Sequence, residues 1–328
     1  MGYRLLGVAT FNMHKLILKG LYVLAAIQYP SIKKDYLYFI RDNYFCRLRQ
    51  LQFFKKDFLV KKKYKTTDFQ GEFDQELRYV IPFAYWHYLN GTLKKTISCK
   101  NTSDFYFFSD NHEESFSERI WQKSYGNFDV PNMTHSISFS KSKWAKVPYK
   151  KHYANSIFVY NKPTLVIANK YNIEWGEPPI NFLSIEMLDA VIVRLKHKFQ
   201  IIYNRPLSSQ IVSDNSEILD LNEHDWIKRI HPDIILMNDL FADNQSTVTS
   251  FNHLQMLVYA NCEYFISVHG GTAALASCFE GTNIILSKRG IEHALGEYNT
   301  IIPALSGATI LHAKTELELI HFLISHYV

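Results

Sequence analysis

"YFISVHGGTAALAS" (residues 264–277) is the stretch on which the fold turns. Its first five residues, Tyr264 to Val268, form a short, nearly apolar run of the kind found in a strand buried on both faces. His269, Gly270, Gly271 and Thr272 follow, and then Ala273, Ala274 and Ala276, small residues at helical spacing. A strand that gives way to a helix across so few residues is half of a β-α unit. The alternation recurs on both sides. TLVIA (164–168) and residues 200–203 read as strands. Residues 184–199 read as a helix, with Ile185, Leu188, Ile192 and Leu195 on one face and Ser184 as N-cap. A strand over 233–237 and a helix over 251–261 come next. Beyond the opening stretch, the spacing predicts a helix over 272–279, strands over 283–287 and 309–312, and a closing helix over 315–327. Such alternation predicts an α/β domain with a parallel sheet and helices on both faces. Its boundary falls near residues 156–163, which divides the chain into 1–157 and 158–328.

The first half has weaker patterning. Residues 35–58 have helical spacing, DFYFF (104–108) reads as a strand, and residues 115–123 as a short helix. At 328 residues and 47% hydrophobic, the chain can bury a sizeable core. Its 20% charged residues argue against disorder. Cys46, Cys99, Cys262 and Cys278 are far apart, which disfavours a zinc site or a disulfide framework and suits a reducing compartment. Neither GxGxxG nor GxxxxGK[ST] occurs, so a dinucleotide enzyme and a P-loop ATPase are disfavoured. No DxD suggests a metal, and no cofactor is expected. The most apolar run, residues 16–27, meets Lys15 and Lys19, and Pro30 follows. It is too short to span a bilayer and lacks a signal-peptidase site. The expectation is a cytoplasmic protein, with peripheral attachment to the inner membrane face left open.

Charge divides the chain unevenly. Residues 1–65 carry 14 Lys and Arg against 3 Asp, a net of +11, so the rest carries 22 against 28, a net of −6. Lys55, Lys56, Lys61, Lys62, Lys63 and Lys65 alternate with Phe53, Phe54, Phe58 and Tyr64. Such a segment fits an anionic membrane surface or nucleic acid, or is a plain solvated face. The acidic remainder speaks against a broad nucleic-acid surface, so no nucleic-acid partner is expected.

Ligands of open parallel sheets bind outside the carboxyl ends of the strands. His269, Gly270, Gly271 and Thr272 stand at such an end. The glycines allow a tight turn and close approach of a ligand. The backbone N–H groups that follow suit a phosphate. A plain turn and a structural histidine are the competing readings. Asn169, Lys170, Tyr171, Glu174 and Trp175 follow one strand, and Asn204 and Arg205 another. Lys288, Arg289, Gly290, Glu292, His293, Glu297 and Tyr298 follow a third.

Residues 255–290, with "NKYNIEWGEPPINF" (169–182) and "IIYNRP" (201–206), resemble the donor-binding half of GT-B glycosyltransferases. The likeness is to the polysaccharide-biosynthesis transferases of microbes and large viruses, and more loosely to family-61-like transferases. It covers roughly residues 160–328. It implies a GT-B-like two-domain architecture whose C-terminal domain is a Rossmann-like, nucleotide-sugar-binding sheet, with an acceptor-side domain before it. It implies transfer of a sugar from a nucleotide-sugar donor to a surface-polysaccharide (capsule or lipopolysaccharide) or lipid-linked glycan acceptor. Asn169, Lys170, Asn204, Arg205, His269, Gly270, Gly271, Thr272, Lys288 and Glu292 would then hold the donor. Arg205 would meet the leaving diphosphate, unless it pairs with Asp214 or Asp225. Asp110 and His269 would be catalytic, with Asp110 the favoured general base among Asp110, His112, Glu113 and His87. A noncatalytic nucleotide- or sugar-binding protein of polysaccharide assembly is the alternative.

Overall fold

The computed structural model describes residues 2–120, 129–130, 135, 137, 139–174, 176–212 and 216–328, with side chains from His14 onward. The chain opens with two helices, α1 (Gly2–Gln28) and α2 (Leu37–Phe54), and α2 passes into a π-helical turn, Lys55–Val60. Ala25, Leu37 and Ile40 seal the two helices together. Strand β1 (Lys65–Asp68) follows. Then α3 (Phe73–Gln75), a π-helical turn over Glu76–Val80 and α4 (Ile81–Leu89) run on from one another. Strands β2 (Leu93–Cys99) and β3 (His112–Phe116) join β1 in a parallel sheet of order β1-β2-β3. Helix α5 (Tyr149–Tyr153) leads into the second half.

The second half is the β-α alternation expected from its sequence. Its elements are β4 (Thr164–Ala168), β5 (Asn172–Glu174), α6 (Ile185–Leu195), β6 (Gln200–Asn204), β7 (Ser216–Ile218), α7 (Glu223–Ile230), β8 (Ile235–Leu236) and α8 (Met237–Asp243). Then come α9 (Phe251–Ala260), β9 (Tyr264–Val268), α10 (Gly271–Ala276), β10 (Thr282–Leu286), α11 (Ile291–Leu295), α12 (Ile301–Ala304), β11 (Thr309–Ala313) and α13 (Glu316–His326). Six strands form one parallel sheet of order β11-β10-β9-β4-β6-β8. Counted along the chain within this half, that order is 6-5-4-1-2-3. It is the doubly wound arrangement of a Rossmann-like fold, and it reverses between β4 and β9.

The sheet forms because its strands are apolar on both faces. Leu165, Ile167, Ile201, Tyr203, Ile266, Val268, Ile284 and Leu286 face one core with α6 and α13. Val166, Ala168, Ile202, Phe265 and Ile285 face the other. Ser184 caps α6, accepting the Met187 N–H at 3.3 Å as its sequence predicts. The second core does not stop at residue 157. Leu77, Ile81, Ala84, Phe105 and Tyr106 belong to it together with Ala273, Ala274 and Phe279.

Two expectations for the first half fail. DFYFF is no strand. Ser103–Tyr106 is a 3-10 turn, with Phe105 and Tyr106 buried. Adjacent aromatics here fill a core from a turn rather than alternate across a sheet. The expected helix over 115–123 begins instead as β3, because Thr96 to Cys99 pair with residues 112–116, and residues 121–123 lie outside the described residues. Cys46, Cys99, Cys262 and Cys278 are buried and unbridged. Among the described residues, no helix is long and apolar enough to cross a membrane.

Candidate functional site

A cavity of about 690 Å³ opens where the sheet order reverses. Its floor is the carboxyl ends of β4, β6 and β9, through Asn169, Lys170, Asn204, Arg205, His269, Gly270, Gly271 and Thr272. Its opposite wall comes from the first half, through Tyr38, Phe39, Glu72, Phe73, Asp74 and His135. Eight of the residues predicted from the sequence therefore converge, and Glu292 joins them from the first turn of α11.

The turn after β9 is built as its sequence suggests, but its second glycine serves a different end. Gly270 has φ +92°, a region that L side chains rarely adopt. Gly271 packs against the first half: a β-carbon there would meet Phe73 Cδ1 at 3.1 Å. Its openness admits the α3 segment of the same chain to the cavity wall. Thr272 Oγ1 donates back to the Val268 carbonyl at 2.5 Å and ties the helix start to the strand.

His269 is held on two sides. Its Nδ1 lies 2.8 Å from both Ser287 Oγ and Tyr298 Oη, and its Nε2 lies 3.5 Å from Glu292 Oε2. Burial lowers the imidazole pKa more than Glu292 raises it, so the ring is neutral at pH 7. Gly290 makes this contact possible. A β-carbon there would overlap His269 Cε1 and come within 2.7 Å of Glu292 Oε2. Burial pushes the Glu292 carboxyl up, but His269, His135 and Arg78 pull it down further and hold it well below the usual carboxylate range.

Behind Glu292 lies a buried ion network that joins the two halves of the chain. Arg78 is fully buried and pairs with Asp74 and Glu297, with Glu292 at 3.8 Å. His135 Nδ1 is 3.3 Å from Glu297 Oε2. Burial opposes the charged imidazole of His135, but Glu297 and Glu292 outweigh it and raise its pKa. Burial also raises Asp74, against the pull of Arg78. His135, Glu292 and Glu297 come close enough to share a metal ion, but the Arg78 guanidinium already occupies that carboxylate pocket. A second acid–histidine cluster, Asp57, His87 and Asp129, is closed by Lys65 and Lys143.

The cations on the cavity wall are already paired. Lys170 Nζ contacts Glu174 at 2.5 Å. Arg205 pairs with Glu223, donates to the Leu219 carbonyl at 3.3 Å and lies 3.5 Å from Asp220. Among the described residues Asp225 is not one of its partners, and Asp214, like Trp175, lies outside the described residues. Asn169 supports the floor, donating to the Leu183 carbonyl at 3.0 Å and accepting the Leu183 N–H at 2.9 Å. Asn204 donates to Gln255 at 2.8 Å and to Tyr259 at 2.7 Å.

Two predicted residues do not reach the cavity. Asp110 is exposed in the loop that enters β3, at that strand's amino end. It falls there because the run before it is a buried turn, not a strand delivering residue 110 to a carboxyl edge. The other base candidates are engaged elsewhere. His112 lies between Thr96 and Thr102, Glu113 pairs with Lys95, and His87 contacts Thr92. Lys288 turns away to Glu316 at 2.6 Å, as alternation beyond β10 requires once Ser287 faces His269. Its neighbour Arg289 lines the cavity instead.

Asp74, Arg78 and His135 escaped the sequence reading. Asp74 and Arg78 stand four residues apart on a helical segment, but that spacing is common on solvated helices. Gly290 lay inside the recognised stretch without a role. No protein-family model, no curated protein and no solved structure matches the chain.

Proposed function

We propose that the chain is a GT-B-type glycosyltransferase that moves a sugar from a nucleotide-sugar donor to a surface-polysaccharide or lipid-linked glycan acceptor. The observation that carries this reading is the cavity at the reversal of the sheet order, with half-buried His269 on its floor and Glu292 beside it. Its volume is in the range of small-ligand sites, roughly 300–1,000 Å³. Lys170, Arg205 and Arg289 offer charge to a diphosphate, and the wall from the first half offers Glu72 and Asp74 to acceptor hydroxyls.

In the transfer, the acceptor oxygen bonds to the anomeric carbon and loses its proton. The bond from that carbon to the phosphate oxygen breaks, and the nucleotide leaves with the electron pair. His269 takes the proton, and Glu292 stabilises the imidazolium that results. Lys170 and Arg205 meet the charge that develops on the leaving group.

The test is a thermal-shift and turnover screen with UDP-, GDP-, CMP- and dTDP-sugars. A ligand of the native state raises Tm by mass action. One donor should raise it and release nucleotide. His269→Asn should keep the shift and lose turnover, and Lys170→Ala should weaken the shift. A shift without turnover in any variant would turn the reading to the noncatalytic binding protein. No shift with any donor, for a folded chain, would end both.

A further inference from the structure

At the far end of α2 from the cavity, the helix and its π-helical extension present an unusual surface. Leu51, Phe54, Phe58, Leu59 and Val60 are exposed, Leu59 at 70% and Leu51 at 68%. Lys55, Lys56, Lys61, Lys62 and Lys63 are exposed around them. Among the described residues, none of these lysines pairs with a carboxylate. Asp57 is the one acid between Asp42 and Asp68, and it is buried and held by Tyr64 and Lys143. Lys65, grouped with these lysines by sequence, is instead buried against Asp129 at 2.5 Å. The surface is anchored to the body of the protein, because Phe58 packs edge-on to Trp86 at 5.5 Å and beside Phe54 at 5.0 Å.

We infer that residues 51–63 dock the protein on an anionic lipid bilayer, the side chains of Leu59 and Val60 entering the interface and the lysines meeting lipid phosphates. The charge is of one sign and encloses the apolar residues, which is what an anionic interface accepts. Nucleic acid would satisfy the lysines but leave Leu51, Leu59 and Val60 without partners, since bases stack on aromatic rings. A second copy of the chain would satisfy the apolar residues but bring like charges together. Tyr38 and Phe39, in the first turn of α2, line the cavity. The bilayer would therefore lie about 25 Å from it along the helix.

Flotation of the full chain with vesicles tests this. One set is phosphatidylcholine alone, and the other is equal parts phosphatidylcholine and phosphatidylglycerol. The chain should bind the mixed vesicles at low salt, not the neutral ones, and release at high salt. Each lysine near an anionic leaflet adds roughly five-fold to partitioning, so Lys61→Glu with Lys62→Glu should lose at least about 25-fold. Leu59→Asp with Val60→Asp should lose more than about ten-fold. Circular dichroism checks that the variants fold, and the wild-type comparison stands without them. Equal binding to both vesicle types, binding to neither, or variants that bind like the wild type would overturn the inference. Retention on single-stranded RNA, or dimerisation abolished by the aspartates, in each case without vesicle binding, would overturn it as well. The assay reads no turnover, so its result is separate from that of the donor screen.

Discussion

At the scale of single residues, the site depends on what is missing from a glycine. Gly290 has an extended backbone, so its identity is dictated by space: its neighbours are His269 and Glu292. Gly290→Ala should displace one of them and cost about 1–3 kcal/mol of stability. Donor turnover should fall by more than its Tm shift explains. Gly20→Ala is the contrasting change. It lies within α1 with nothing within 4 Å of a new β-carbon, and should be neutral or stabilising by up to about 1 kcal/mol. Thermal unfolding of both variants checks the pair. Lys170 gives a second prediction. Its ammonium is shared with Glu174, so Glu174→Gln should free it and tighten binding of any phosphate-bearing ligand, as titration calorimetry would read. Weaker binding would show instead that Glu174 touches the ligand.

At the scale of elements, the second half is held by strands that bury nearly every side chain, each aliphatic contributing roughly 1.5–3 kcal/mol. The α3-to-α4 segment is held differently. It carries Asp74 and Arg78 through a π-helical turn, an irregularity that often marks a functional position. Its Arg78 is an uncompensated charge unless Asp74 and Glu297 face it. Arg78→Met should therefore cost about 3–5 kcal/mol in urea unfolding, because buried Glu297 and half-buried Asp74 lose their counter-ion. A cost under about 1 kcal/mol would show that water reaches them. Much of the element layout was legible in the sequence, since periodicity reports burial directly in β4, β6, β9 and β10. DFYFF was misread because aromatic density does not distinguish a buried strand from a buried turn.

At the scale of the whole molecule, one core and one ion network join residues on both sides of position 157. Thermal unfolding should accordingly be a single cooperative transition, and residues 158–328 alone should show no such transition. Stability should also depend on pH from both directions. Burial, with Lys65 and Lys143 nearby, lowers His87 to about 2. The unfolded chain therefore binds this proton first, and stability present above pH 6.5 is lost as pH falls, by about 1.4 kcal/mol per unit. His87→Gln should flatten that acid limb in pH-dependent urea titrations. His135 is raised, so its contribution is complete below about pH 6.5 and is lost as pH rises through its higher folded value.

By itself the sequence determined the β-α alternation of residues 164–327, the N-cap of α6 and the His-Gly-Gly-Thr turn at a strand's carboxyl end. These follow from local periodicity and backbone preference, which neighbouring residues carry in full. Only the tertiary structure decided that Gly271 admits Phe73, that Gly290 admits His269, and that Asp110 and Lys288 stand apart from the cavity. It also decided that Arg78 and His135 belong beside Glu292, and that Lys65 is buried while the lysines around it are not. Those facts depend on which distant segments share a wall. Packing between separate segments of the chain leaves no periodic signal in the sequence.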